Sequence, residues 1–418
     1  MLAPIEGGLD RSSVIRESNE PMLRLVTGGT MVPSEIASRS PRIAAFFETA
    51  ALDGPCLAMD VDLVEAAYRR LAQAFQGARV HYAVKANPAD AVVGRLAGLG
   101  SAFDCASIPE INLCLRQGAA ASDIGYGNTI KKERDIAAAH ALGVRLFAFD
   151  SEAELAKIAR AAPGATVFCR VLTDGEGAEW PLSRKFGCDL AMAESLLVHA
   201  AELGLDPAGV SFHVGSQQTD IQSWRPVLKQ VAGLFSRLEA RGLAPRLINL
   251  GGGMPAQYDK PIAEIETYGA AVMAAVREIF AGHPIDRPLE LMVEPGRGLV
   301  GDAGVIQAEV VLVSSKSADD DVRWVFLDIG KFSGLAETMD EAIKYRLLTA
   351  RDGEAAGPVV LAGPTCDSAD VLYEKTRYAM PLGLRDGDKV WILGTGAYTA
   401  TYASVGFNGF APLETVCV

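Results

Sequence analysis

From Pro55 onward, short runs of β-branched, aromatic and other apolar residues alternate with longer stretches in which apolar side chains recur at helical spacing. The short runs predict strands and the longer amphipathic stretches predict helices. The predicted strands are CLAMD (56–60), VHYAVKA (80–86), AFDCAS (102–107), DIGYGN (123–128), RLFAFDS (145–151), TVFCRVL (166–172), GVSFHVG (209–215) and LINLGGG (247–253). Eight strand–helix units in about 200 residues favour an α/β fold of the TIM-like (β/α)8 barrel type. A doubly wound open sheet is the alternative that this rhythm leaves open.

The rhythm changes after Glu294, where β runs follow one another with turns and few helices between them. These runs are AGVIQAEVVLVSS (303–315), VRWVFLDIG (322–330), PVVLAGPTC (358–366) and DKVWILGTGAY (388–398). Consecutive strands joined by turns predict a mostly antiparallel β domain. We therefore expect a barrel over residues 55–295 and a β domain over 296–418. Residues 1–54 are predicted to be an extension that packs partly on the β domain, with one helix near RIAAFFETAA (42–51).

Composition excludes several classes of partner. The chain has 418 residues and a formal net charge of −13, whereas nucleic acids and anionic membranes require a basic face. The sequence contains no run of about 18 apolar residues, so we expect no transmembrane helix. Its start, MLAPIEGGLDRSS, lacks a signal-peptide pattern. Seven cysteines without CxxC spacing predict reduced thiols in a cytoplasm. We expect no nucleic-acid partner, no membrane partner and no metal site.

The run VHYAVKAN places a lysine, Lys85, at the inner end of an apolar strand. An unpaired buried charge costs several kcal/mol, so this ammonium group needs a partner, a lowered pKa or a covalent bond. Strand alternation puts His81, Ala83 and Lys85 on the inward face of a barrel. The alternative is a lysine that reaches the surface with its head group in water.

Two glycine-containing loops predict a phosphate site. The strand count places HVGS (213–216) after strand seven and GGG (251–253) after strand eight, where barrels of this type often hold phosphate. Glycines allow backbone N–H groups to approach an anion, and Arg297 of EPGRG could add a charged fork. By itself GGG could equally be a flexible turn. A lysine that faces a phosphate site suits a Schiff base with pyridoxal 5′-phosphate (PLP).

The chain resembles the alanine-racemase-fold (fold type III) PLP-dependent decarboxylases, and within them the ornithine/lysine decarboxylase branch. The motifs that carry the resemblance occur in family order from residue 56 to 410. They are YAVKAN, FDCAS, SFHVGS, LGGG, EPGR, GPTCDSAD and GAYTATYASVGFNGF.

The resemblance implies a role for each matching residue. Lys85 is expected to form the Schiff base, His213 to stack on the pyridine ring, and Glu294 to pair with the protonated pyridine nitrogen. The residues expected to hold the phosphate are Ser216, Gly252, Gly253, Arg297 and Tyr398, and those expected to support the cofactor and the lysine are Asp104, Glu110 and Arg170.

In this family a cysteine from the partner subunit reprotonates the substrate Cα, and here it would be Cys366 of PTCDS. A free cysteine is otherwise usually a small core residue. Two acids, Asp367 next to this cysteine and Asp340 of LAETMDEAIKY, are expected to meet the distal amine of the substrate. The alternative for Asp340 is the solvated face of an amphipathic helix. Met339 stands where the eukaryotic members usually have a tyrosine.

We therefore predict a PLP-dependent L-ornithine decarboxylase that produces putrescine and CO₂. It is expected to be a homodimer with shared active sites, because Cys366 and Asp367 belong to the β domain. Lysine decarboxylation, alone or in addition, is the nearest alternative. Arginine or diaminopimelate decarboxylation and a non-catalytic regulatory relative are ranked lower.

Overall fold

The computed structural model describes residues 31–173, 175–180, 185–282 and 288–418. Its strands are, in chain order, β1 (Cys56–Met59), β2 (Ala78–Ala83), β3 (Ala102–Cys105), β4 (Ile124–Tyr126), β5 (Leu146–Phe149), β6 (Thr166–Arg170), β7 (Ala178–Trp180), β8 (Asp206–Ser211), β9 (Ser216–Gln218), β10 (Leu247–Asn249), β11 (Glu290–Val293), β12 (Gly304–Ser314), β13 (Arg323–Leu327), β14 (Arg346–Thr349), β15 (Ala356–Ala362), β16 (Val371–Pro381), β17 (Lys389–Leu393) and β18 (Glu414–Cys417). Its α-helices are α1 (Ser34–Arg39), α2 (Pro41–Thr49), α3 (Val61–Ala74), α4 (Asp90–Gly98), α5 (Ile108–Arg116), α6 (Glu133–Ala141), α7 (Glu152–Ala161), α8 (Leu190–Glu202), α9 (Trp224–Ala240), α10 (Ile265–Phe280) and α11 (Arg297–Val300).

Eight parallel strands close into a barrel in the order β2, β3, β4, β5, β6, β8, β10, β11, with β11 pairing back to β2. The predicted barrel is confirmed, and the open-sheet alternative is wrong. Serine side chains mark two of the strand-to-helix turns. Ser107 accepts a hydrogen bond from the Glu110 N–H at the start of α5, and Ser151 caps α7 in the same way, so each helix begins close to the carboxyl end of its strand.

CLAMD forms a strand, as predicted, but its assignment to the barrel is wrong. β1 lies in the other sheet, antiparallel to β12 and parallel to β18. The eighth barrel strand is β11, which the sequence analysis did not identify. The loops therefore move by one position: HVGS follows the sixth strand, GGG the seventh and EPGR the eighth. The two loops after strands seven and eight are still those expected to carry phosphate.

The second sheet is mostly antiparallel, as predicted. Its strand order is β14-β17-β12-β13-β15-β16, with β1 joining β12 and β18 joining β1, and its parallel pairs are β1 with β18 and β13 with β15. The predicted helix near residues 42–51 is α2. Its buried residues Ile43 and Phe47 pack in one cluster with Val305 and Trp391 of this sheet.

Within the described residues, no helix is both long and apolar enough to cross a membrane. The same ranges contain no group of three or more His, Cys, Asp or Glu side chains arranged to hold a metal ion.

Candidate active site

Lys85 lies two residues beyond the end of β2, in the 3₁₀ turn Val84–Ala86. Its Nζ donates a hydrogen bond to Oδ2 of Asp104, on the neighbouring strand β3, at 2.8 Å. Protein surrounds this group, yet 48% of the Lys85 side chain is accessible to solvent, while the Asp104 side chain is 5% exposed. We infer that Lys85 faces an opening rather than packed atoms. Burial acts to lower the pKa of Lys85, but the hydrogen bond to Asp104 and the charges of Asp104, Tyr398 and Glu294 together outweigh it, so the pKa is raised.

Glu294 follows β11 and points a carboxylate toward the same region. Its Oε1 accepts a hydrogen bond from Nδ2 of the fully buried Asn249 at 2.5 Å, and its N–H donates to the carbonyl of Gly251. Burial, followed by repulsion from Asp104, raises the pKa of Glu294 to about 7. The carboxyl group can therefore hold or release a proton near neutral pH.

His213 follows β8 and is held as a neutral ring. Its Nδ1 accepts a hydrogen bond from the Gly215 N–H at 3.0 Å, which assigns the ring proton to Nε2. Burial and then the positive charges of Arg170 and Lys85 lower the pKa of His213 to about 3. The imidazole is thus an uncharged flat surface beside the cationic groups.

Arg170 and Glu110 are two further charged groups of this site: Arg170 interacts with Glu294 and Asp104, and Glu110 interacts with Asp104 and Lys85. Arg170 ends β6, and its guanidinium lies 5.4 Å from the centre of the Phe186 ring. Burial lowers the pKa of Arg170, although Glu294 and Asp104 act in the opposite direction. Glu110 accepts the Ala106 N–H at 2.6 Å, and burial raises its pKa.

The GGG loop packs directly against the loop that follows β8. At Gly251, which has a φ of +71°, a Cβ would lie 2.1 Å from the Phe212 carbonyl oxygen. At Gly253, with φ of +111°, it would lie 2.6 Å from the Gly215 carbonyl oxygen. Only glycine fits such contacts and torsions. Within the described chain, the N–H groups of Gly252 and Gly253 donate to no acceptor, so they remain available to an anion.

Arg297 adjoins this cradle, but its charge has a protein partner. The guanidinium donates from Nη1 and Nη2 to the two carboxylate oxygens of Glu337, at 2.7 and 2.6 Å, and both side chains are 2% exposed. It also donates from Nη1 to the Tyr258 hydroxyl and from Nε to Ser216 Oγ, at 2.8 and 3.1 Å. The Tyr398 ring lies 5.1 Å from the guanidinium. Sequence reasoning missed Glu337, because no local pattern distinguishes it from the other acids of LAETMDEAIKY.

The three β-domain residues are placed differently from the barrel residues. Cys366 and Asp367 are exposed on the loop between β15 and β16. The Cys366 N–H donates to Asn408, and the Asp367 carboxylate accepts from the Ala369 N–H. Neither meets Lys85 within one chain. Asp340 is also exposed, at the end of a 3₁₀ segment, Ala336–Glu341, that breaks at this residue. The α-helix alternative for Asp340 is therefore wrong.

The donor set of the barrel site complements PLP. The ammonium group of Lys85 matches the aldehyde of PLP, and the neutral ring of His213 matches its aromatic ring. The carboxyl group of Glu294 can pair with the pyridine nitrogen, and the free amides beside the Ser216 hydroxyl match the phosphate. The site residues predicted in the barrel are thus brought together in one place.

Comparisons with known proteins give a consistent result. Residues 61–301 match the family described as pyridoxal-dependent decarboxylase, pyridoxal binding domain. The lysine/ornithine decarboxylase of Selenomonas ruminantium is 33% identical over 87% of this chain and 89% of that protein. The ornithine decarboxylase of Mus musculus is 33% identical over 79% of this chain and 73% of that protein.

Two solved structures are similar over nearly the whole chain. The structure of SrLDC in complex with PLP and cadaverine has a TM-score of 0.79 and 30% identity, and covers 94% of this chain and 95% of that chain. The putrescine complex of lysine/ornithine decarboxylase from Vibrio vulnificus has a TM-score of 0.78 and 30% identity, and covers 90% and 97%.

Proposed function

The chain belongs to the family of pyridoxal-dependent decarboxylases, with PLP as its cofactor, and from this premise we propose that it decarboxylates L-ornithine to putrescine and CO₂. The observation that carries the substrate assignment is the exposed Asp340 carboxylate, which has no hydrogen-bond or ion-pair partner in the described chain. It lies three residues from Glu337, which is bonded to Arg297 beside the cradle. A free carboxylate near one end of the site favours a substrate with a cationic tail.

The barrel residues then take the following roles. Lys85 would hold the cofactor covalently, His213 would cover one face of the ring, and Glu294 would keep the pyridine nitrogen protonated. The phosphate would meet the amides of Gly252 and Gly253 and the hydroxyl of Ser216, with Arg297 and Tyr398 supporting that end. When bound, PLP supplies a conjugated ring that takes up the electron pair left on Cα as CO₂ departs.

Asp104 would hold the Lys85 ammonium group in place. Because Asp104 Oδ2 lies 2.8 Å from Lys85 Nζ, it can form an ion pair with the ammonium group whenever the amine is not covalently bound to the cofactor. The raised pKa of Glu294 makes its proton transferable near neutral pH. The neutral His213 excludes water from one face without adding a charge that would compete with the substrate amine.

We propose that the active sites are shared between two subunits, with Cys366 and Asp367 reaching the partner's barrel. Cys366 would donate the proton that Cα needs after CO₂ leaves. Support comes from the exposed apolar side chains on the same face of the β domain: Val405 is 86% exposed, and Phe407 and Phe410 are also exposed. Asn408, between them, bonds Cys366. Such a surface is typical of an interface.

Mixing two inactive variants tests shared sites. Lys85→Ala and Cys366→Ala each inactivate both sites of their own homodimer. After subunit exchange of equal amounts, half the dimers are mixed and each has one intact site, so about one quarter of parental activity is expected. No recovery, in a mixture shown to exchange subunits, would exclude shared sites.

L-Lysine is the second candidate substrate. The similar Selenomonas ruminantium protein is a lysine/ornithine decarboxylase, and Met339 is 53% exposed beside Asp340, where a flexible side chain can accommodate one more methylene. Diaminopimelate is disfavoured because Asp340 would repel its distal carboxylate. The seven cysteines are all free thiols, in line with our proposal of a cytoplasmic location.

The decisive experiment compares CO₂ release from L-ornithine, L-lysine, L-arginine and diaminopimelate by the PLP-loaded protein. We expect the highest kcat/KM with ornithine. Release from none of the four would refute decarboxylation of basic amino acids. A yellow absorbance band that borohydride removes, with the label mapped to Lys85, would separately establish the covalent link to PLP.

A further inference from the structure

Asp340 and its neighbour share an unusual backbone conformation. Asp340 has a φ of +53° and Glu341 a φ of +57°. The left-handed region is unfavourable for residues with a side chain, and two such residues in succession persist only where their surroundings fix them. The question is what holds this pair.

Two carboxylates anchor the segment, one on each side of Asp340. On one side is the buried pair of Glu337 and Arg297. On the other, the Glu341 carboxylate accepts hydrogen bonds from the N–H groups of three consecutive residues of β16, Glu374, Lys375 and Thr376, at 2.8, 2.6 and 2.7 Å.

The second anchor fits an irregularity in the sheet. β16 pairs with β15 at Tyr373 and again at Tyr378, and residues 374–377 between them have no partner on β15. The N–H groups of residues 374–376 in this gap have no acceptor on β15, and the Glu341 carboxylate supplies one for each of them. These backbone hydrogen bonds outweigh the effect of burial and lower the pKa of Glu341 to about 2, so the anchor is charged throughout the neutral range.

We propose that Glu341 is a positioning residue that holds Asp340 for the distal ammonium group of the substrate. This positioning role rests on the proposed function, since it assumes that Asp340 binds the cationic tail of the substrate. Three residues of chain span at most about 11 Å, so the anchor at Glu337 keeps Asp340 near the cradle. The anchor at Glu341 fixes its direction, and the Asp340 carboxylate makes no hydrogen bond or ion pair within the described residues, so it remains available to the substrate.

The test compares Glu341→Gln and Glu341→Ala, each alone and combined with Asp340→Asn, in the PLP-loaded protein. Glu374→Gln is the matched control, because it removes the exposed side-chain carboxylate of a neighbouring residue but leaves in place the backbone N–H that donates to Glu341. We expect KM for ornithine to rise about tenfold in Glu341→Ala and less in Glu341→Gln, with kcat within about twofold. The control should not change.

The double variants separate positioning from a general loss of structure. If Glu341 acts through Asp340, Glu341→Ala should not raise KM further in the Asp340→Asn background. An equal rise in both backgrounds, or no rise in either single variant, would overturn the proposal while leaving the decarboxylase assignment intact. If Glu341→Ala fails to fold, Glu341→Gln decides.

The affinity of the PLP-loaded protein for putrescine, measured by calorimetry, provides a readout that does not depend on turnover. The same coupling between Glu341 and Asp340 is expected in its Kd. Coupled diamine binding without CO₂ release from any amino acid would support the positioning role and refute the proposed reaction. Diamine binding that is indifferent to Glu341 would overturn the positioning role.

Discussion

The buried ion pair between Arg297 and Glu337 allows a quantitative prediction. Glu337→Ala removes two of the four hydrogen bonds that the guanidinium makes within the described residues. It leaves a cation that is 2% exposed, with the hydroxyls of Ser216 and Tyr258 as its remaining acceptors in that part of the chain. Breaking a buried pair by removing one partner costs about 3–5 kcal/mol, because the remaining charge is not compensated. Two charge-assisted bonds at about 1.5–3 kcal/mol each give a similar figure.

The assay is urea unfolding of the cofactor-free protein, with urea chosen because guanidinium salt would screen the charges. The matched control is Glu278→Ala. Glu278 forms the same two-pronged pair with Arg225, at 2.8 and 2.7 Å, but its side chain is 66% exposed. An exposed pair contributes about 0–1 kcal/mol. We therefore expect Glu337→Ala to lose at least three times more unfolding free energy than the control.

A paired replacement distinguishes the lost pair from lost packing. If the uncompensated charge causes the loss, Arg297→Met combined with Glu337→Leu should be more stable than Glu337→Ala alone, since replacing a whole buried pair with apolar residues is often neutral or stabilising. Equal losses for Glu337→Ala and the exposed control would refute this account of the cradle.

Four further outcomes are expected. Lys85→Ala should abolish the absorbance band that borohydride removes, while a phosphate-dependent affinity for PLP remains measurable by equilibrium dialysis; a persistent band would assign the covalent link to another lysine. Because the pKa of Glu294 is raised from 4.5 to about 7, the native cofactor-free protein binds more protons than the unfolded chain, and its stability should fall as pH rises from about 4.5 to 7; Glu294→Gln should flatten this part of the urea-midpoint profile. His213 has the opposite sign, since its pKa is lowered from 6.5 to about 3: stability should fall as pH drops through that interval, and His213→Asn should remove this slope. Gly251→Ala should destabilise far more than Gly406→Ala, because both have positive φ but only the former places a Cβ against a backbone carbonyl; similar urea midpoints would contradict the crowding argument.

The rhythm of the sequence predicted the barrel but miscounted its strands. CLAMD is a short apolar run, and such a run fits the interior of either sheet equally well. Its partners lie near Gln307 and Glu414, so no local pattern could assign it. The true eighth strand, Glu290–Val293, is followed only by the four-residue helix Arg297–Val300, so no complete strand–helix unit of the rhythm marks it.

The residues of the site were also predicted in part from the sequence. A lysine at the end of a buried strand needs a partner for its charge, and Asp104 is that partner, 19 residues away on the adjacent strand. The role of Arg297 as a free phosphate fork stays a prediction, and the bond to Glu337 was not foreseeable, because it joins segments 40 residues apart in sequence. Asp340 shows a different limit: MDEAIKYRLL has helical spacing, but the contact of Glu341 with β16 overrides that preference.

The placement of β1 sets an order of events during synthesis. Its neighbours in the sheet, β12 and β18, are about 250 and 360 residues further along the chain, so they emerge from the ribosome long after it. The nascent chain must therefore keep an apolar β run unpaired while the whole barrel is made. A ribosome stalled at residue 400 would leave one edge of β1 open, and a chain circularly permuted to begin with the barrel would bring β1 into continuity with its partners.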